Sequence, residues 1–177
     1  MATPRELIDS LGVSVPADQE FDRVADLTAL RRDATGGVYR SNDARGPLLY
    51  ALVAARRPQR VLEFGTGRGY GALCMAWAMA VHGISGTIST IDLVPQRRSF
   101  DWLYRDERGV HEEPSSRESF WRSRFPRAWL ERIVPLEGRS ASVVERLRRD
   151  ETGFDLAFVD GGHDRATAGH DLLAAAG

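Results

Sequence analysis

The spacing of apolar residues changes along the chain, and each change marks an element. Phe21, Val24, Leu27 and Leu30 recur at helical intervals, which predicts a helix over Asp18–Arg32, behind a shorter one over Pro4–Leu11. Gly36-Gly37 interrupts this run, and a further helix over about Asp43–Ala55 stops ahead of Pro58. Residues 1–55 therefore read as a helical prelude or cap. From Arg60 onward, short β-branched runs alternate with helical stretches. Strands are predicted over 60–64, 87–91, 132–136 and 154–159, with Pro135 unfavourable inside the third. Helices are predicted over 70–82, 96–105, 116–131, 140–149 and 166–176.

Strand and helix in regular alternation imply right-handed crossovers and a parallel sheet with helices on both faces. Residues 56–177 thus predict a Rossmann-like α/β domain of about four strands. In such sheets ligands sit beyond the carboxyl ends of the strands, where strand order reverses. The residues directly after each strand are the ones to read for chemistry.

After the first of these strands comes Glu63-Phe64-Gly65-Thr66-Gly67-Arg68-Gly69-Tyr70-Gly71. Glycines let the backbone turn tightly and approach a ligand, and the following helix presents free N–H groups to an anion. A dinucleotide would also find the looser pattern Gly67-x-Gly69-x-x-Ala72 acceptable. However, Glu63 at the strand tip would repel a pyrophosphate and suits a ligand that carries an ammonium group. The second strand ends in Asp92, placed to accept hydrogen bonds from both ribose hydroxyls, a role it would fill for either cofactor class.

Val61-Leu62-Glu63-Phe64-Gly65-Thr66-Gly67-Arg68-Gly69-Tyr70 resembles the first motif of class I S-adenosylmethionine (SAM) dependent methyltransferases. The resemblance implies that Glu63 reaches the methionine amino group. It also implies that Gly65, Thr66, Gly67, Gly69 and Tyr70 line the methionine portion. Leu136-Glu137-Gly138-Arg139-Ser140 resembles the Gly-Asp-Ser turn of small-molecule O-methyltransferases of this class, which lies near the adenine; here Arg139 replaces the acid, and Ser140 also suits a helix N-cap. Phe154-Asp155-Leu156-Ala157-Phe158-Val159-Asp160-Gly161-Gly162-His163 resembles the Asp-Gly-x-His motif of bacterial O-methyltransferases that modify sugars and other secondary metabolites. It implies Asp160 beside the sulfonium and the incoming nucleophile. His163 is then the candidate general base, because an imidazole accepts protons near neutral pH. Asp160 would orient it, contact the acceptor or ligate Mg²⁺ through hard oxygen. The resemblance covers about Val53–Gly177, the N-terminal half of the family fold. A fifth strand and a closing hairpin are missing from this span, so an open edge after the fourth strand is expected, and with it a homo-oligomer formed through that edge.

Composition narrows the field further. Net charge is -1, and every one of the 24 cationic residues is Arg. A near-neutral chain gives no basic field for nucleic acid. The stretch Arg117–Arg132 interleaves Arg with Phe120, Trp121, Phe125 and Trp129 and is expected to pack its rings inward along an amphipathic helix. The longest apolar run, Ala72–Val81, is far shorter than the roughly 20 residues a membrane span needs. A single cysteine, Cys74, and the absence of a leader pattern point to a cytoplasmic protein. The expected partner is a small-molecule acceptor, with no membrane. A nicotinamide-dependent oxidoreductase and a non-catalytic Rossmann-like interaction module are the alternatives.

Overall fold

The computed structural model describes residues 3–149 and 153–161. Helix α1 (Pro4–Ser10) starts from a reciprocal cap. Thr3 Oγ1 accepts from the Glu6 amide, and Glu6 accepts from the Thr3 amide at 2.7 Å. Helix α2 (Asp18–Thr28) is shorter than its apolar spacing predicts. Leu30 is fully buried, but it belongs to strand β1 (Leu30–Arg32), which pairs antiparallel with β2 (Val38–Arg40). The turn between them is tied by Asp33 Oδ1, which accepts from the Thr35 and Gly37 amides at 2.8 and 2.9 Å. A buried leucine satisfied by a strand was indistinguishable from one more helical turn.

Helix α3 (Arg45–Arg56) closes on Arg57 in the left-handed conformation, and strand β3 (Arg60–Phe64) follows. Helix α4 (Tyr70–Val81) is buried from Tyr70 through Met79. It is apolar on every side because the sheet covers one face while the prelude and the crossover cover the others. Strand β4 (Thr87–Asp92) leads into the largest departure from expectation. The stretch expected as a helix over 96–105 is instead β5 (Ser99–Asp106), hydrogen-bonded to β6 (Gly109–Ser116) in an antiparallel hairpin. Trp102 is fully buried there, donates Nε1–H to the Leu27 carbonyl at 2.8 Å, and stacks on Phe120 at 4.3 Å.

The helix expected over 116–131 is broken in two, α5 (Arg117–Arg124) and α6 (Arg127–Leu130). Pro126 causes the break: it forces Phe125 into an extended conformation, with φ -122° and ψ 150°. Phe120, Trp121 and Phe125 are buried, and Trp129 stacks on Trp77 at 5.2 Å, so the interleaved rings pack inward. Strand β7 (Ile133–Glu137) tolerates Pro135 because, among the described residues, it pairs on one side only, with β4. Helix α7 (Ser140–Arg149) and strand β8 (Leu156–Val159) complete the described elements.

The four-stranded sheet runs β7-β4-β3-β8, and each pairing is parallel. This is the Rossmann-like arrangement, with the order reversing between β3 and β8. Side chains alternate along β3. Leu62 and Phe64 join the cluster built with Val143 and Val144 of α7, while Val61 joins the larger cluster around α4. Glu63 shares the face of Val61 by the same alternation. The helix expected over 166–176 lies outside the described residues.

Candidate functional site

Strands β3, β4 and β8 end side by side, and the glycine loop crosses above them. Gly65 donates its amide to the Ile91 carbonyl at 2.9 Å, and a Cβ on it would come within 2.4 Å of the Asp160 carbonyl. The exits of all three strands are thereby held together. Gly69 has φ +96° and caps α4; a Cβ there would meet Trp121 at 2.1 Å. The indole of Trp121 also donates to the Arg68 carbonyl at 3.0 Å. The loop is braced from outside by a residue that motif reading does not find.

Asp92 lies at the tip of β4 with its carboxylate fixed by backbone. Oδ2 accepts from the Gly67 amide at 2.9 Å and Oδ1 from the Val94 amide at 2.8 Å. A carboxylate has about four acceptor sites, so two are left for a ligand. Arg117, buried to 2% exposure, donates to the Val94 carbonyl at 2.6 Å and faces Asp92 at 3.5 Å. It keeps the region electrostatically balanced from below. Burial pushes the Arg117 guanidinium down from its ordinary value, opposed by the charge of Asp92.

Glu63 is placed differently from Asp92. It pairs with Thr90 across β3 and β4, and Thr90 Oγ1 donates to Glu63 Oε2 at 2.5 Å. Thr90 in turn lies 2.7 Å from the hydroxyl of Thr66, and Gly71 packs over Glu63 Oε1. The carboxyl is 1% exposed and lies beneath the loop rather than in the open crevice. Burial pushes its pKa up to about 8, so it holds a proton at pH 7; the Thr90 hydrogen bond and Arg45 oppose the shift.

Asp160 follows β8 and donates its amide to the Phe64 carbonyl at 2.9 Å. Its carboxylate stands 3.1 Å from the guanidinium of Arg45, the first residue of α3. Tyr70, the first residue of α4, passes under Arg45 and donates its hydroxyl to the Asp43 carbonyl at 2.8 Å. Arg139 is exposed just beyond β7, and Ser140 opens α7. Glu63, Gly65, Thr66, Gly67, Gly69, Tyr70, Asp92 and Asp160 therefore gather at one end of the sheet, with Arg139 and Ser140 at the end of the neighbouring strand. His163 lies outside the described residues. Among the described residues, no three His, Cys, Asp or Glu side chains converge as metal ligands, and Asp160 meets a cation of the protein itself.

The profile of a methyltransferase domain family matches residues 62–176. A search of curated proteins returns no match. Among solved structures, the chain is similar to the O-methyltransferase TomG of Streptomyces achromogenes, involved in tomaymycin synthesis and solved with SAM. The identity is 20% and the TM-score 0.57, over 96% of this chain and 64% of that one. It is also similar to an O-methyltransferase of Bacillus cereus solved with SAH, at 19% identity and TM-score 0.53, over 96% of this chain and 69% of that one. The methyltransferase PaMTH1 of Podospora anserina, SAH-bound, aligns at 18% identity and TM-score 0.53, over 99% and 67%. At these identities the likeness is one of fold, and the chain spans about two thirds of each neighbour, 64% in the case of TomG.

Proposed function

Because this chain belongs to the methyltransferase domain family, we propose that it binds SAM in the crevice above β3, β4 and β8 and transfers the methyl group to an oxygen of a small-molecule acceptor. The observation that carries this reading is Asp92. Its carboxylate is aligned by two backbone amides at the tip of β4, the strand beside β3, with two acceptor sites left for the ribose hydroxyls. Gly65, Thr66, Gly67 and Gly69 would pass the methionine portion toward Asp160, while Tyr70 supports the loop from α4. Arg139 and Ser140 would border the adenine. Family membership favours a methyl donor over the nicotinamide alternative, which uses the same loop and acid.

Methyl transfer is an in-line displacement at a carbon already activated by the sulfonium. The acceptor oxygen attacks the methyl carbon, the carbon–sulfur bond breaks with its electrons going to sulfur, and the acceptor proton leaves to a base. The products are a methyl ether, S-adenosylhomocysteine (SAH) and a protonated base. The protein's contribution is alignment and proton removal. Asp160 lies where it would orient the acceptor or a neighbouring base, and His163, three residues on, is the base we propose. The described residues do not fit a Mg²⁺ site, because Asp160 faces the Arg45 guanidinium and no group of three His, Cys, Asp or Glu side chains converges there. The compartment we propose is the cytoplasm, supported by the lone, buried Cys74 thiol. No helix among the described residues is long and apolar enough to cross a membrane.

Calorimetric titration tests the reading. SAM and SAH should bind with one site per chain, and NADH should give no heat. Binding of NADH with none of SAH would overturn it.

A further inference from the structure

We propose that Arg31 and Arg68 form an anion-binding subsite at the rim of the crevice, and that the methyl acceptor carries a carboxylate or phosphate group that docks there. The proposal rests on the methyl-transfer reading above and deepens it by giving the acceptor a charge class.

The two guanidiniums meet on one oxygen. Arg31 Nη1 and Arg68 Nη1 both donate to the Leu30 carbonyl, at 2.9 and 2.7 Å. One side chain comes from β1 of the prelude and the other from the glycine loop, so the fold itself brings like charges together. Arg68 is locked in place. Its Nη2 donates to the Asp101 carbonyl at 3.0 Å, and its guanidinium lies 5.8 Å from the rings of both Phe100 and Trp102. Burial, and then the charge of Arg31, push its pKa down to about 10, so it remains a cation at neutral pH.

Arg31 is the freer partner. It is exposed on β1, and among the described residues its side chain donates only to Leu30, through Nη1. The Nε–Nη2 edge is left over. That edge is the fork that matches two oxygens of a carboxylate or phosphate. Arg31 thus supplies the hydrogen bonds, and Arg68 a fixed charge behind them.

The nearby acids are already taken. Glu112, within electrostatic reach of Arg68, pairs with Arg32 at 2.8 Å. Asp160, within reach of Arg31, pairs with Arg45 at 3.1 Å. Among the described residues, two positive charges therefore stand at the rim without a counterion, in a chain whose net charge is -1. A concave rim of one sign concentrates ligands of the other.

The location suits an acceptor. Arg31 reaches electrostatically to Asp160, beside which the acceptor hydroxyl is proposed to lie. Tyr39, the cross-strand partner of Arg31, is 49% exposed and offers a ring next to the fork. An acceptor held by its anion at Arg31, with its hydroxyl toward Asp160, is fixed at two points, which is what in-line attack requires.

Binding to the whole protein saturated with SAH tests this, with the cofactor site already filled. Benzoate, phenyl phosphate and neutral benzamide are titrated into ¹⁵N-labelled protein while the arginine Nε–H signals are followed. Benzoate or phenyl phosphate should shift Arg31 Nε–H saturably and benzamide should not; the tighter of the two anions sets the acceptor's charged group. Arg31→Gln should weaken that anion by roughly fivefold or more, and Arg31→Lys should lose less, since it keeps the charge and loses only the fork. SAH affinity should change less than about twofold in both variants, which also reports an intact fold. The proposal is overturned if neither anion saturates, if Arg31→Gln binds the anion as the parent does, or if the anion binds only when SAH is absent. If SAH failed to bind the unaltered protein, the methyl-transfer reading itself would fall, a result distinct from an anion that fails on the SAH complex.

Discussion

Replacing Glu63 with Gln should flatten the pH dependence of stability. The carboxyl is buried under α4 with its pKa pushed up to about 8, against about 4.5 when solvated. The folded state therefore holds a proton that the unfolded chain releases between these values. With more protons bound when folded, stability falls as pH rises through this window, by up to about 1.4 kcal/mol per pH unit. The contribution is fully present below about 4.5 and lost above about 8. Between pH 6 and pH 8 the loss is roughly 2 kcal/mol. Gln has nearly the same shape, accepts the Thr90 hydroxyl as the carboxyl does, and does not titrate. Urea unfolding at several pH values should therefore show the variant gaining roughly 2 kcal/mol on the parent protein from pH 6 to pH 8. A constant difference across that range would refute the buried, neutral carboxyl.

Asp92→Ala should weaken SAH by roughly ten- to a hundredfold, the scale of a hydrogen bond to a charged group, as read by calorimetry. Unchanged affinity would remove Asp92 from the ribose site. Gly69→Ala forces a Cβ into the left-handed region and against Trp121, so it should destabilise by about 2–4 kcal/mol in denaturant unfolding. A loss below about 0.5 kcal/mol, the scale of an ordinary surface substitution, would mean that the loop is not braced there. Trp102→Ala empties the centre of the hairpin packing and should destabilise by about 3–5 kcal/mol, with the loss of near-ultraviolet circular dichroism that the Trp102–Phe120 stack predicts.

The parallel sheet was legible in the sequence because its strands are short apolar runs separated by helical stretches, as β3 is followed by α4 and β7 by α7. The loop and Asp92 were legible for the same reason, since ligand-facing residues must sit directly after strand ends. The hairpin was not read, although its signal is present. Phe100, Trp102 and Tyr104 recur at a period of two between Asp101 and Arg105, although Leu103 is also apolar and buried, and Gly109 with φ +124° opens the return strand. Expecting a crossover helix masked that alternation. Glu63 was legible as a strand-tip acid but not as a buried one. Its burial depends on sharing a face with Val61 against an all-apolar helix, which only the packing of α4 reveals. Arg45 and Arg117 carry no motif at all. Each is brought to the site by an element whose partners are distant in sequence, so composition and spacing were silent about them.

The central claim is that the adenosyl cofactor lies over the ends of β3, β4 and β8. Titrating ¹⁵N-labelled protein with SAH and following backbone amide shifts tests that placement residue by residue. The account predicts the largest changes at Gly65, Gly67, Gly69, Leu93 and Asp160. Saturable binding that left those amides unmoved, and shifted instead the groove between α5 and β7 around Arg97, Phe125 and Ile133, would contradict it.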